Sequence, residues 1–112
     1  IARWRSEDER LRRRIVAARK RLPSVVVPDP ALARAAQLCL SLGTDGLRGE
    51  LALMRAARAL AAFEGDTEVN DDHLRRMAAP ALRHRLRRDP LDDAGSGTRV
   101  TRAVDELFAQ AA

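Results

Sequence analysis

The sequence predicts an all-α fold, a small bundle of four to five helices with at most a minor β contact. Three observations carry that prediction. Ala (21 residues), Arg (20) and Leu (15) dominate the 112-residue chain, and all three favour helix over strand. Apolar residues recur at three- and four-residue steps in successive segments. Pro, Gly, Asp and Asn fall between those segments, where helices start and stop. The length suits one domain, with residues 1–90 as its helical body and 91–112 as a linker plus a docking helix of the same domain.

In the first segment Trp4, Leu11, Ile15, Ala18 and Leu22 step by seven, four, three and four, which keeps them on one helix face. Ser6 and Glu9 have capping-box spacing, so the helix starts at Ser6 or runs through it with Trp4 included. Asp8–Arg12 and Glu9–Arg13 have the i,i+4 spacing of supporting ion pairs. We read the run Arg12–Arg14 as a solvated face, with a nucleic-acid patch as the alternative. Pro23 ends the helix, and the β-branched run Val25–Val27 should be extended, in contact with Val69. Asp29 is expected to cap a second helix with Pro30 at its first position. Its inward face is Leu32, Ala35, Ala36 and Cys39, flanked by Leu38 and Leu42, and Gly43 stops it.

A third helix is expected over Gly46–Glu64, with Leu47, Leu51, Met54 and Ala61 on one side and Leu53, Ala57 and Leu60 widening the stripe. Gly65 closes it. After the extended pair Glu68-Val69, Asn70 caps a fourth helix, and Asp71 and Asp72 suit the positive end of its dipole. Val69 and Leu74 have the spacing of a hydrophobic staple. Leu74, Met77, Ala78, Ala81, Leu82 and Leu86 hold one phase across Pro80, which predicts one kinked helix. Arg83, Arg85, Arg87 and Arg88 crowd its far end, and Asp89-Pro90 terminates it. A last helix over about Thr98–Gln110 carries Val100, Val104, Leu107 and Phe108 on one face, and so short a helix must dock on something.

The chemistry implied is sparse. A single cysteine, Cys39, excludes a disulfide scaffold and a Cys-based zinc site, and its apolar stripe suggests a buried, inert thiol. His73 and His84 have no acidic partner at ligand spacing, so no metal site is expected. The one lysine, Lys20, lies inside the first helix, which leaves no phosphate-binding loop. Val104-Asp105-Glu106 resembles an acidic strand end but sits in a helical pattern. No apolar run reaches a membrane span, and nothing reads as a signal peptide, so a cytoplasmic location is the expectation. The opening at Ile1 reads as a fragment of a longer chain. No catalytic residue is expected within it.

One position breaks the local rules. If Asp45 caps the third helix, Arg48 is its third residue, where a capping box would carry Glu or Gln. Arginine there adds positive charge to an already positive helix end. A helix N-terminus with a guanidinium fork is an anion site, above all for phosphate, and Gly46 and Gly49 leave room around it. The plain alternative is that Arg48 reaches Asp45 or Glu50 or stands in water, and the residues alone favour it. Arg55, one helical repeat further on, reads as a solvated residue.

The stretch from Asp45-Gly46-Leu47-Arg48-Gly49-Glu50-Leu51 to Ala61 resembles the lid helix of AAA+ ATPases of the magnesium chelatase type. Arg19-Lys20-Arg21-Leu22-Pro23-Ser24-Val25, Thr67-Glu68-Val69, Leu74-Arg75-Arg76-Met77 and the ending Leu82-Arg83-His84-Arg85-Leu86-Arg87-Arg88-Asp89-Pro90-Leu91 are similar to the same family. The ending is specific to its I subunit. The resemblance implies a helical lid whose Walker motifs and arginine finger lie upstream of Ile1, in the AAA+ core of the same chain. It implies a parent that uses ATP and Mg2+ and forms a ring with neighbouring I subunits. With the D and H subunits, that ring inserts Mg2+ into protoporphyrin IX in (bacterio)chlorophyll synthesis. The family's sensor-2 arginine falls on Arg48, which would serve the nucleotide of a neighbouring subunit. The isolated fragment is then expected to be inactive and to bind no cofactor.

Two other classes compete. A net charge of +5 and a pI near 11.1 suit a basic helical nucleic-acid-binding domain. Against it, the arginines are spread over several helices without a helix-turn-helix signature. A plain protein-interaction bundle is the third reading, which the last helix also fits.

Overall fold

Proline and glycine set most of the element boundaries in the computed structural model, which describes residues 2–44, 46–86 and 95–111. Helix α1 spans Ala2–Arg21 and passes through Ser6, so the Ser6–Glu9 capping box is not used. It runs into a single 3-10 turn, Leu22–Ser24, with Pro23 inside the turn. Helix α2 spans Asp29–Leu42. Here the expected cap is displaced by one residue. Pro28 is the N-cap, in extended conformation and without a side-chain hydrogen bond, and Asp29 already belongs to the first turn. The acidic side chain there still suits the helix dipole.

Gly43 stops α2 in the left-handed region, at φ 65°, with its N–H on the carbonyls of Cys39 and Leu40. Helix α3 spans Gly46–Glu64 and closes on Gly65, also left-handed at φ 81°. Helix α4 spans Asp71–Leu82, and Asn70 caps it by accepting from the His73 N–H at 3.1 Å. Helix α5 spans Ser96–Ala111.

The expectation that α4 continues as one kinked helix to Leu86 is corrected. It ends at Leu82, with Pro80 in its last turn. The chain then turns through Arg83 and His84, and Leu86 pairs antiparallel with Thr44, just ahead of α3. Leu86 therefore reaches the core from the turn side, where one more helical turn would have carried it past. Arg87, Arg88, Asp89-Pro90 and most of the expected linker lie outside the described residues.

The predicted β contact forms as a single parallel rung between Val26 and Glu68. The Val26 N–H donates to the Thr67 carbonyl at 3.0 Å, and the Val69 N–H donates to the Val26 carbonyl at 2.9 Å. Two arginines reinforce the same end. Arg21 donates from Nε to the Ala62 carbonyl at 2.8 Å, and Arg58 donates from Nη2 to the Leu22 carbonyl at 3.0 Å. Each helix thus supplies a cation to the carbonyl end of the other, where the dipole is negative.

The core lies between α2, α3, α4 and α5, built on Leu38, Leu53, Val69, Leu74, Leu82 and Val100, with Ala57, Ala61 and Ala78 letting the helices approach. Helix α5 packs on α4 and α2 through Val100, Val104 and Phe108, so its apolar face is covered within this bundle. Two inward faces differ from the sequence reading. In α2 the buried line is Ala31, Ala35, Leu38, Cys39 and Leu42, and Leu32 is exposed. In α3 the buried line is Leu53, Ala57 and Ala61, while Leu47 and Leu51 stand 71% and 52% exposed. Both stripes are wider than one contact face: α3 turns its Ala-rich side to the core, where Ala57 and Ala61 admit close approach, and α2 turns Leu38 and Leu42 inward in place of Leu32.

Candidate functional site

The turn between α2 and α3 is built to hold the start of α3 in place. The Thr44 N–H donates to the Cys39 carbonyl at 3.2 Å, and its hydroxyl reaches the same oxygen at 3.5 Å. Gly49, one turn into α3, is buried against Thr44. A Cβ at position 49 would stand 2.6 Å from the Thr44 hydroxyl oxygen and 2.8 Å from its Cβ. Only glycine allows α3 to lie this close to the turn.

Arg48 precedes that glycine. Helix α3 begins at Gly46, so Arg48 is its third residue, as the sequence reading placed it. Its side chain is exposed, and it makes no hydrogen bond or ion pair among the described residues. Glu50 is not its partner. Residues two apart point to different sides of a helix, and no ion pair joins the two side chains. Asp45 lies outside the described residues. Arg48 is thus a charged side chain at the positive end of a 19-residue helix, with its guanidinium turned to solvent. The first N–H groups of a helix lack intrahelical acceptors, and with Arg48 they form a set of donors suited to an anion.

Beside Arg48 the exposed Leu47 and Leu51 join Leu32, Val27 and Met54 around an open groove of about 500 Å³, with Arg55 and Arg58 at its edge. Arg55 is exposed as expected. Cys39 is buried, and desolvation pushes its thiol pKa up; the Thr44 hydroxyl hydrogen bond opposes this and the Glu50 carboxylate adds to it. A buried thiol held in its neutral form is a poor nucleophile.

One group of residues was missed in the sequence. His73 is 1% exposed, the only buried polar residue of the described core, and the fold brings Asp66 and Glu64 to its Nε2 at 2.8 Å and 3.6 Å. The spacing of seven and nine residues across a turn gave no such signal. The three side chains have the composition of a metal site. The hydrogen bonds assign them another role. The Asn70 N–H donates to His73 Nδ1 at 3.0 Å, so the ring proton lies on Nε2 and is donated to Asp66. Nδ1 completes the α4 cap and Nε2 holds Asp66, so neither offers a free lone pair. Arg76 adds bonds to both Glu64 oxygens at 2.9 Å and to Asp72 at 3.3 Å. His84 is exposed and apart from this group.

The described residues thus form a small all-helical bundle of five helices. The family described as AAA lid domain matches residues 32–106, and the chain belongs to it. The chain is 60% identical over 110 residues, 98% of its length, to the magnesium-chelatase 38 kDa subunit of Acidiphilium rubrum, and covers 32% of that protein. It is 59% identical over 105 residues, 94% of its length, to the subunit of the same name from Rhodobacter capsulatus, covering 30% of it. With the magnesium-chelatase subunit ChlI of Synechocystis it shares 42% over 105 residues, 94% of its length and 29% of the relative's. The chain spans about a third of the length of the curated relatives it matches. Among the described residues, no helix is long and apolar enough to cross a membrane.

Proposed function

We propose that this chain is the lid of a magnesium-chelatase ATPase subunit of the I type, and that Arg48 is its nucleotide-sensing residue. The observation that carries the reading is the placement of Arg48. An arginine with no ion pair among the described residues, at the third position of α3, is unfavourable for the domain alone by a few tenths of a kcal/mol to about 1 kcal/mol. The cost makes sense where a polyphosphate completes that helix end. ATP, with its Mg2+, supplies the anionic phosphates and the hydrolysis. The residues of this chain orient and neutralise them: Arg48 donates to phosphate oxygen, and Gly49 and Thr44 fix the position from which it does so.

In the ring we infer, Arg48 reads the nucleotide of a neighbouring I subunit while the AAA+ core of its own chain carries the hydrolytic residues. The ring works with D and H subunits to insert Mg2+, the cargo, into protoporphyrin IX in (bacterio)chlorophyll synthesis, in the cytoplasm. The domain division at residue 90 places α5 in the same lid, and its packing on α2 and α4 supports this.

The test is steady-state ATP hydrolysis by the longer protein with Arg48→Ala. Loss of a phosphate contact that strengthens in the transition state lowers kcat by roughly tenfold to a thousandfold, about 1.4–4 kcal/mol, with the ring still assembled. An unchanged kcat and KM removes Arg48 from the nucleotide site.

A further inference from the structure

The charge of the chain is concentrated in one helix. Helix α1 carries nine basic and three acidic side chains, a net +6, so the rest of the chain sums to −1. Half of that helix also leaves the bundle. The Arg14 guanidinium lies 4.3 Å over the Phe63 ring, whereas Leu22 meets Arg58, so α1 and α3 run in opposite senses. Because α3 ends at Glu64, the part of α1 ahead of Arg14 extends past it by about 18 Å at 1.5 Å per residue.

An apolar seam starts in the projecting stretch and runs on to Ile15, beside Phe63 of α3. Trp4 is 71% exposed, Leu11 49% and Ile15 40%, all on one face. Their spacing is that of a heptad: Trp4, Leu11 and Ala18 fall on one core position, and Asp8, Ile15 and Leu22 on the other. The flanking positions are Arg5, Arg12 and Arg19 on one side and Glu7, Arg14 and Arg21 on the other. Arg14 and Arg21 are engaged with Phe63 and the end of α3. Arg5, Arg12 and Arg19 hold no ion pair among the described residues.

We propose that this seam docks an acidic amphipathic helix of a separate partner protein, with apolar residues against Trp4, Leu11 and Ile15 and carboxylates against Arg5, Arg12 and Arg19. The charge decides the occupant. A second copy would bring two helices of net +6 side by side, with arginine repeated along one flank of each. A lipid surface calls for a broad apolar face, and this one is narrow, with Asp8 within it and Glu7 at its edge. Phosphate backbones would use the arginines and leave the seam uncovered. The narrow, highly charged contact also fits a reversible association between chains better than permanent burial, which favours more apolar surfaces. This inference is independent of the role of Arg48.

Trp4 is the only tryptophan in the chain, so its emission reports directly on the seam. The probe is a synthetic helix of roughly three heptads with Leu at both core positions and Glu at the flanks. Its titration should shift Trp4 emission to the blue and saturate, with Kd rising about tenfold between about 50 mM and about 300 mM salt. The same peptide with Gln for Glu should bind about tenfold more weakly, and so should the Glu peptide to Leu11→Ala, whose exposed position leaves the bundle intact. Four results overturn the proposal. They are equal binding of the Glu and Gln peptides, and self-association of the chain in sedimentation with Trp4 covered. The others are a blue shift at lower concentration with anionic vesicles or duplex DNA than with peptide, and failure of fluorescein-labelled peptide to bind the longer protein, which would place the occupant within the same chain.

Discussion

Adding a single methyl group at Gly49 tests how tightly the turn ahead of α3 is built. Inside a helix, Gly→Ala is ordinarily favourable by about 1 kcal/mol. Here the new Cβ would meet Thr44 at 2.6 Å from Oγ1, 2.8 Å from Cβ and 3.2 Å from Cγ2. The hydroxyl can rotate away, giving up its long bond to the Cys39 carbonyl. The Thr44 Cβ cannot, because the backbone is held by its N–H on Cys39 and by its pairing with Leu86. The turn must therefore move, and overpacking of this kind costs roughly 1–3 kcal/mol. The difference leaves Gly49→Ala destabilised by about 1 kcal/mol, roughly 4 °C in Tm for a chain of this size. Urea denaturation followed by helical circular dichroism reads this directly. In a Thr44→Gly background the obstruction is gone, and the same substitution should stabilise by up to about 1 kcal/mol, a coupling of roughly 2 kcal/mol. A stabilising Gly49→Ala beside the native Thr44, or additive effects in the cycle, would refute the argument that the close approach fixes Arg48.

Arg48→Glu should stabilise the isolated domain by about 0.3–1 kcal/mol, less at high salt, since it replaces a charge opposed to the helix dipole; destabilisation in urea would reveal an intramolecular partner. Asn70→Ala removes the acceptor for the His73 N–H and should cost about 1 kcal/mol in the same assay. Leu53→Ala, at a fully buried position, should cost about 2–5 kcal/mol. Cys39 should react with a thiol reagent only as fast as the domain opens. Burial raises its folded pKa, so the unfolded chain loses the thiol proton first as pH rises through the ordinary value of 9.0. Stability is therefore intact below that value and declines above it. The urea midpoint should therefore fall as pH rises above 9.0 in the native chain, and this fall should be absent in Cys39→Ala.

Elements whose ends are set by one residue's backbone preference were legible in the sequence. Gly43 and Gly65 stop α2 and α3 in the left-handed region, and Asn70 caps α4. The Val26–Glu68 rung follows from two short β-branched pieces that needed each other as partners. Arg48 stood out because it contradicts the helix dipole, a local conflict that needs no tertiary information. What was not legible depends on contacts between distant segments. Leu32, Leu47 and Leu51 lie on stripes wide enough to face either way, and only the docking of the neighbouring helices decides. The end of α4 depends on Leu86 finding Thr44, 42 residues earlier. Asp66 and Glu64 reach His73 because the turn at Gly65 folds back, and no ligand-type spacing announces it.

The rung and the two crossed arginines have a consequence for the order of folding. Their partners are separated by 42 residues for Val26 and Glu68, 41 for Arg21 and Ala62, and 36 for Leu22 and Arg58. Among the described residues, helix α1 packs on α3 and its adjoining turn and has no long-range contact that avoids this closure. The other helices share one core in which α2, α3, α4 and α5 each pack on at least two of the others, so fewer contacts are lost when α1 detaches. Helix α1 is therefore the last element to join the native state and the first to leave it. Its amides should exchange with solvent through openings that leave α2 to α5 intact, a sub-global unit separable in native-state hydrogen exchange.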